Sequence, residues 1–261
     1  MKKQLITALL LSNCMLFSNC KKGMDNAPTG NSSPHLLTAN GTTNLATALL
    51  WDGNATKSSS SVWSNINIEG TGTVTAVTDP LGGKDWKFYK PAGSHRTEGH
   101  GAQGFTAVEG DDIYIGWRSK LIMPQSASTF AVFQWKAYGN TQTQNHPIML
   151  RTTNGSLVFR DYSPGDVPHT DWSVPLVTGV WNRYVVRIKV SKDITKGFIE
   201  FWYNGVQQTF NNGGTRVICR TLDGDNCDPK WGIYGDDGDA CTNYVAELRI
   251  ATTYAAAAPQ Q

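Results

Sequence analysis

The chain is short of charge. Only 17% of its residues are Asp, Glu, Lys or Arg, and the formal net charge is +2. So sparse and balanced a charge excludes the dense basic footprint of a nucleic-acid-binding protein. Metal-ligand spacings of the C-x-x-C or H-x-x-x-H type are missing, which argues against a zinc site. After residue 45 no segment sustains a 3.6-residue apolar period, so a helical domain is excluded as well. What the chain does carry is aromatic: nine Trp, nine Tyr and nine Phe, residues that fill sandwich cores and also stack on sugar rings.

The N-terminus reads as an export signal. Met1-Lys-Lys-Gln supplies positive charge, Leu5 to Leu11 an apolar stretch, and Leu16-Phe-Ser-Asn-Cys20 a small-residue run ending in cysteine. The apolar stretch is too short for a transmembrane helix. A terminal cysteine followed by Lys21-Lys22 is similar to a bacterial lipoprotein signal. Residues 1–19 are therefore expected to be removed and Cys20 lipidated, with Cys14 as the weaker alternative. Residues 20–45 are rich in Gly, Asn, Ser, Thr and Pro, as a flexible tether is. The expectation is an exported, membrane-anchored lipoprotein, periplasmic or at the cell surface of a bacterium, touching the membrane through its lipid only.

Residues 46–254 then form one domain, since all-β domains of about 210 residues are ordinary, and 255–261 read as a disordered tail. Short alternating runs recur between Gly, Asn, Asp and Pro: 72–78, 86–90, 113–123, 130–138, 148–152, 157–162, 181–190, 197–203, 206–210, 231–234 and 245–251. Asn204-Gly205 accepts the positive φ angles of a tight hairpin turn. So many strands without helices imply two packed antiparallel sheets, a jelly-roll sandwich. Cys219, Cys227 and Cys241 remain in the domain. Export permits one disulfide, Cys219–Cys227 or Cys227–Cys241, with one thiol left over.

The run Phe130-Ala-Val-Phe-Gln-Trp-Lys-Ala-Tyr138 is the most informative strand. Alternation puts Val132, Gln134, Lys136 and Tyr138 on one face and Ala131, Phe133, Trp135 and Ala137 on the other. An amide, a cation and a phenol in a row suit a floor for a charged, hydroxyl-rich ligand. Arg183, Arg187 and Lys189 share one strand face, and Arg118 and Lys120 another. These rows are either solvated outer faces or, if they converge with Lys136, the walls of a positive groove for a polyanion.

Several motifs follow in order: Ser94-His-Arg-Thr-Glu98, Tyr114-Ile-Gly-Trp117, Phe133-Gln-Trp-Lys136, His146-Pro-Ile-Met-Leu-Arg151, Gly179 to Val190, Gly197 to Gly205, and Lys230-Trp-Gly-Ile-Tyr234. In this order and spacing they resemble the polysaccharide lyases related to glucuronan lyase (polysaccharide lyase family 20) and, more distantly, heparin lyase I. The resemblance spans residues 46–254. It implies a jelly roll that cleaves a uronic-acid polymer by β-elimination, with a glutamine, a histidine and a tyrosine at work in its groove. Matched onto this chain these are Gln134, His95 and Tyr234, with His146 the second candidate histidine. Arg96, Lys136, Tyr138, His146 and Arg151 are expected to bind substrate, and Arg96 and Glu98 share a strand face and are expected to pair. A monomer acting on an anionic polysaccharide is expected. The chemistry requires no cofactor, and a structural Ca²⁺ is allowed without assigned ligands; the acidic runs Asp223 to Asp228 and Asp236 to Asp239 offer oxygen donors but no EF-hand spacing. The chain departs from the family pattern twice. An acidic run follows Tyr234 where relatives often carry a basic residue, and Ala246 stands where an aspartate is common.

Elimination needs the charge of the uronate carboxylate offset, a base at C5 and an acid at the leaving oxygen. Gln134 with Lys136 or Arg96 can do the first, and His95 and Tyr234 the other two. A glycoside hydrolase is disfavoured, because the E-x-D-x-x-E strand that supplies its paired carboxylates is missing. The rival is a non-catalytic, lectin-like carbohydrate-binding jelly-roll lipoprotein. For the anchor, Cys20→Ser is expected to release the protein from the membrane fraction and abolish lipid labelling; unchanged labelling would place the lipid elsewhere.

Overall fold

The computed structural model describes residues 48–139 and 143–260, so the signal segment 1–19, Cys20 and the tether 20–45 lie outside the described residues. In chain order the strands are β1 (Leu49–Asp52), β2 (Trp63–Glu69), β3 (Thr73–Thr78), β4 (Lys84–Lys90), β5 (Arg96–Ala102) and β6 (Asp112–Ile122). Then come β7 (Phe130–Tyr138), β8 (Ile148–Thr153), β9 (Ser156–Ser163), β10 (Val167–Pro175) and β11 (Trp181–Lys189). The series closes with β12 (Phe198–Tyr203), β13 (Val206–Gln207), β14 (Val217–Ile218), β15 (Asn226–Gly235) and β16 (Cys241–Ala251). They form a nine-stranded sheet built around β13-β12-β11-β6-β16-β4-β3 and a seven-stranded sheet ordered β10-β9-β8-β7-β15-β5-β2. This is the two-sheet antiparallel sandwich that the strand pattern predicts.

Aromatic rings join the sheets. Trp117 of β6 stacks on Phe133 of β7 with centroids 4.7 Å apart, and Phe159 of β9 on Phe201 of β12 at 4.5 Å. Trp231 lies 5.8 Å from both Trp51 and Trp63. Offset and edge-on pairs of this kind add about 0.5–1.5 kcal/mol each beyond the area they bury. The alternation of Tyr184, Val186 and Ile188 into the core holds, and β7 begins and ends where its sequence pattern does. Asn204 (φ 51°) and Gly205 (φ 83°) make the expected turn between β12 and β13. That second strand is shorter than expected, ending at Gln207.

The structure corrects three expectations and decides between the two readings of the cationic rows. A bulge between Ala131 and Phe133 turns Ala131 to the outer face and Val132 into the core, the reverse of simple alternation. The cationic rows do not join Lys136, because both lie on the outer face of the opposite sheet. There Arg187 pairs with Asp112 (2.9 Å) and Glu200 (3.2 Å), and Arg118 is buried among Asp79, Asp85 and Glu247. Cys219, Cys227 and Cys241 are buried free thiols in the hydrophobic core, and none is disulfide-bonded. The segment 255–260 is docked rather than disordered. Tyr254–Ala257 form a helical turn capped by Thr253, Ala257 is buried beside Gly116, and Gln260 N–H reaches Glu247 at 2.6 Å.

One buried polar pair sits on the core side of β9. Asp161 opposes the core residue Ile148, its N–H donates to Asp171 Oδ2 at 2.8 Å, and the two carboxyls hydrogen-bond to each other. They line a cavity of about 300 Å³ with His169 and Cys219. Burial, then the Asp161 charge, pushes Asp171 up to about 8, and burial raises Asp161 too. The folded protein therefore holds a proton that the unfolded chain releases near the ordinary carboxylate value of about 4. Stability from this pair is complete below that value and is lost as pH rises toward 8. Asp171→Asn is expected to raise the melting temperature at pH 7–8 and flatten its fall across pH 4–8; a steeper fall in the variant would contradict the shared proton.

Candidate active site

The core sets what the outer face of the seven-stranded sheet can present. Trp231, Phe133, Trp135 and Leu150 point inward, so their strand neighbours point out. Cross-strand pairing then aligns His100 of β5, Lys230 of β15, Gln134 of β7 and Met149 of β8 in one row. On one side of that row Asp228 faces Lys136. On the other, Glu98 faces Gly232, and then Arg96 faces Tyr234, which faces Ala131, which faces Arg151. Gly232 (φ 140°) is required here, because a Cβ would strike the Thr97 carbonyl of β5.

The centre of this face is an ion cluster. Glu98, 2% exposed, accepts from Gln134 Nε2 at 2.6 Å and pairs with Lys230 Nζ at 2.9 Å and Arg96 Nη1 at 3.7 Å. Arg96 also pairs with Glu69 of β2 at 2.8 Å. One carboxylate thus gathers an amide and two cations, and its bond to Gln134 turns the amide nitrogen into the site. Gln134 has a second N–H on that nitrogen for a ligand.

Two aromatic ends flank the cluster. At one, Arg96 lies over the Tyr234 ring at 4.5 Å, and His95 meets the same ring edge-on at 4.9 Å while its Nδ1 bonds Asp237 Oδ1 at 2.7 Å. At the other, His100 stacks on Tyr138 at 5.1 Å and its Nε2 bonds the Tyr138 hydroxyl; Lys136 lies over the Tyr138 ring and bonds Asn145. Between them, Tyr162 of β9 donates to Met149 Sδ at 3.6 Å and supports His146, whose ring meets it edge-on at 4.4 Å. Tyr234 packs on the patch formed by Ala131, Met149 and Tyr162.

Burial, followed by the Lys230 and Lys136 charges, pulls His100 down to about 4. Burial likewise lowers His146 to about 4, with Lys136, Arg151 and Lys230 adding to it against the opposing Asp166. Both imidazoles are therefore neutral near pH 7 and weak as bases. Burial raises the Tyr138 phenol and lowers Lys136, and it pushes Asp228 up to about 6. His146 Nδ1, Arg151 Nε and Asp228 Oδ1 are buried without a hydrogen-bond partner, leaving polar capacity on this face for a ligand.

The sequence-predicted residues all fall on this face or its rim. His95, Arg96 and Tyr234 are in mutual contact, Gln134 reaches them through Glu98 and Arg96, and the expected Arg96–Glu98 pair forms. Lys136 and Tyr138 sit at the far end, while His146 and Arg151 lie beside the Met149 patch. Sequence reasoning passed over Lys230, His100, Tyr162 and Asp237. Lys230 was legible, since alternation in Lys230-Trp-Gly-Ile-Tyr234 puts it on the face of Tyr234. His100 was hidden because β5, Arg-Thr-Glu-Gly-His-Gly-Ala, has no apolar alternation.

The acidic runs do not fit a calcium site. Asp223 is occupied by Arg220 (2.6 Å) and the N–H groups of Thr143 and Gln144, Asp237 by His95, and Asp239 by Ser128 (2.7 Å). Among the described residues no group of three His, Cys, Asp or Glu is placed to hold a metal ion.

The outer face of the seven-stranded sheet thus gathers cations and an amide around one buried carboxylate, with aromatic rings at its rim. The polysaccharide lyase family model matches residues 38–247, and the chain belongs to that family. It is a polysaccharide lyase. Among solved structures it is similar to an endo-β-1,4-glucuronan lyase from the fungus Trichoderma reesei, with 20% identity and a TM-score of 0.61 over 76% of this chain and 94% of that one. It is also similar to the cellulose-induced protein Cip1, with 17% identity and a TM-score of 0.50 over 73% and 92%. At these identities the likeness establishes a shared jelly-roll fold. A marine alginate lyase from Aplysia kurodai aligns more loosely, at 11% identity and a TM-score of 0.47 over 69% and 87%. No curated protein sequence matches the chain.

Glu98 carries the electrostatic load of the site. Removing it leaves Lys230 buried without its carboxylate, a loss that typically costs about 3–5 kcal/mol. Glu98→Ala is expected to lower the free energy of urea unfolding by that amount; a change below about 1 kcal/mol would mean that Lys230 has other adequate partners.

Proposed function

We propose that this lyase cleaves a uronic-acid polymer of the glucuronan type by β-elimination on the face around Gln134. The observation that carries the reading is the convergence of Gln134, Lys230 and Arg96 on Glu98. Lys230, Arg96 and the remaining N–H of Gln134 are the donors that converge here, and a uronate carboxylate is the sugar group that answers them.

The chemistry follows from those donors. The C5 proton of a uronate is weakly acidic, and its removal pushes electron density onto the adjacent carboxylate. Donors already aimed at that carboxylate strengthen as the charge builds, so they lower the barrier more than they tighten ground-state binding. Gln134 supplies its free N–H, with Lys230 and Arg96 supplying charge. His95 takes the C5 proton, the electron pair becomes the C4–C5 double bond, the C4–O bond breaks, and Tyr234 returns a proton to the leaving oxygen. Tyr234 lies against His95, so base and acid serve one ring. His146, held near 4 by burial, is a weak base at neutral pH. Lys136, Tyr138 and Arg151 extend the polar face along the strands and bind neighbouring sugars of the chain.

A screen of uronate polymers, followed by absorbance of the unsaturated product, tests the reading. New absorbance is expected on glucuronan, whereas binding without turnover on every polymer would favour the lectin-like alternative. Tyr234→Phe removes one hydroxyl, so folding is expected to survive while kcat falls at least about 10²-fold, as for other positioned proton carriers. Gln134→Ala is expected to depress kcat more than KM. A folded Tyr234→Phe enzyme with near-normal turnover would take Tyr234 out of the mechanism.

A further inference from the structure

We propose that Asp237 is the positioning residue of this lyase: it fixes the tautomer and direction of the His95 imidazole, on loops locked together by the buried ammonium of Lys90. The inference rests on the reading of His95 as the base. It also gives a purpose to the acidic run after Tyr234, which the family pattern leaves unexplained.

The geometry begins with Lys90, the last residue of β4, which is 0% exposed. A fully buried ammonium is costly unless its donors are met. Here they are met by three backbone carbonyls, Ser94 at 2.8 Å, Asp236 at 2.6 Å and Asp239 at 3.0 Å. Ser94 precedes His95, and Asp236 and Asp239 bracket Asp237, so one cation ties the loop before β5 to the loop after β15. Backbone bonds complete the lock: Gly93 N–H to Asp237 O at 2.7 Å, His95 N–H to Glu69 O at 2.9 Å, and Gly235 N–H to His95 O at 3.0 Å. The two side chains are thus brought together by fixed backbone and not by a chance meeting of long surface groups.

The consequence is chemical. A carboxylate can only accept, so the 2.7 Å contact puts the proton on Nδ1 and leaves the lone pair on Nε2. That nitrogen is the one free to take a proton from substrate, and the imidazolium then formed is held by the Asp237 charge. The other groups facing His95 are the Tyr234 ring from β15, the neighbouring Arg96 of β5 and, through Arg96, Glu69 of β2. Asp237 is the carboxylate bonded directly to the ring. The pair is open to solvent, with side chains 41% and 60% exposed, so it adds little to stability. Its contribution is orientation.

The full chain carries the test, with glucuronan as substrate and three variants: Asp237→Ala, Asp237→Asn and His95→Gln. Asp237→Ala is expected to melt within about 2 °C of the wild type, since exposed pairs contribute little. Its kcat should fall at least about 10-fold with KM little changed, because the wrong tautomer faces the substrate. Asp237→Asn keeps an acceptor for Nδ1–H and should recover part of that loss. ¹⁵N NMR of the imidazole should show Nδ1 protonated in the wild type and the population moving toward protonated Nε2 in Asp237→Ala. Inactive His95→Gln alongside Asp237→Ala with unchanged kcat and tautomer would overturn the role of Asp237. Full turnover in His95→Gln would overturn the base assignment itself, and the proposal with it.

Discussion

The central strands β7 and β15 of the seven-stranded sheet each have one face committed to an aromatic core, and that commitment determines the site. Trp231 and Phe133 pack among Trp117, Trp51 and Trp63, and Trp135 is buried in the same core, so Lys230, Gln134 and Lys136 have only the outer face to occupy. A register slip of one residue would exchange the two sets, exposing indoles and burying charges, so the core also protects the alignment of the active face. The bulges in β7 and β15 are local departures that the core tolerates, and both occur where Tyr234 meets Ala131.

On that face the balance of charge is specific. Glu98 is buried, two cations and an amide meet it, and Glu69 also pairs with Arg96, so the cluster is self-satisfied without substrate while Gln134 keeps a second N–H to offer. The proposed proton-transfer groups stand to one side, where His95 and Tyr234 touch and two loops are clasped by Lys90. The proposed neutralising groups all sit on strands, whereas the proposed proton carriers sit at strand ends, Tyr234 near the end of β15 and His95 just before β5. The opposite sheet spends its cations internally: Arg187 on Asp112 and Glu200, Arg118 on Asp79, Asp85 and Glu247.

Much of this was legible before any coordinates. Alternating apolar positions locate β7, β11 and β12, because residues that must be buried on one face cannot disguise their period. The polar face of Gln134 and the Asn204-Gly205 turn were readable for the same reason. Five strands, β1, β2, β5, β10 and β14, have no counterpart among the predicted runs, and two of them have a clear physical reason. β5 carries two glycines and almost no apolar side chain, and β10 is an edge strand with prolines at Pro168 and Pro175, so neither shows a hydrophobic period. The orientation of Ala131 and Val132 turned on a bulge that composition does not announce. Three cysteines in a chain expected to be exported suggested a disulfide, but each fills an apolar position in the core. The alanine-rich end looked featureless, yet small side chains are what fits beside Gly116.

The central claim is that a uronate carboxylate is held at Gln134 while its C5 proton faces His95. A crystal structure of Tyr234→Phe with a bound glucuronate oligomer tests it most directly. The account predicts one carboxylate within hydrogen-bond distance of Gln134 Nε2 and close to Lys230 and Arg96, with C5 of the same ring turned toward His95 Nε2. An oligomer seated on the outer face of the nine-stranded sheet, or one whose carboxylates all point away from Gln134, would contradict it.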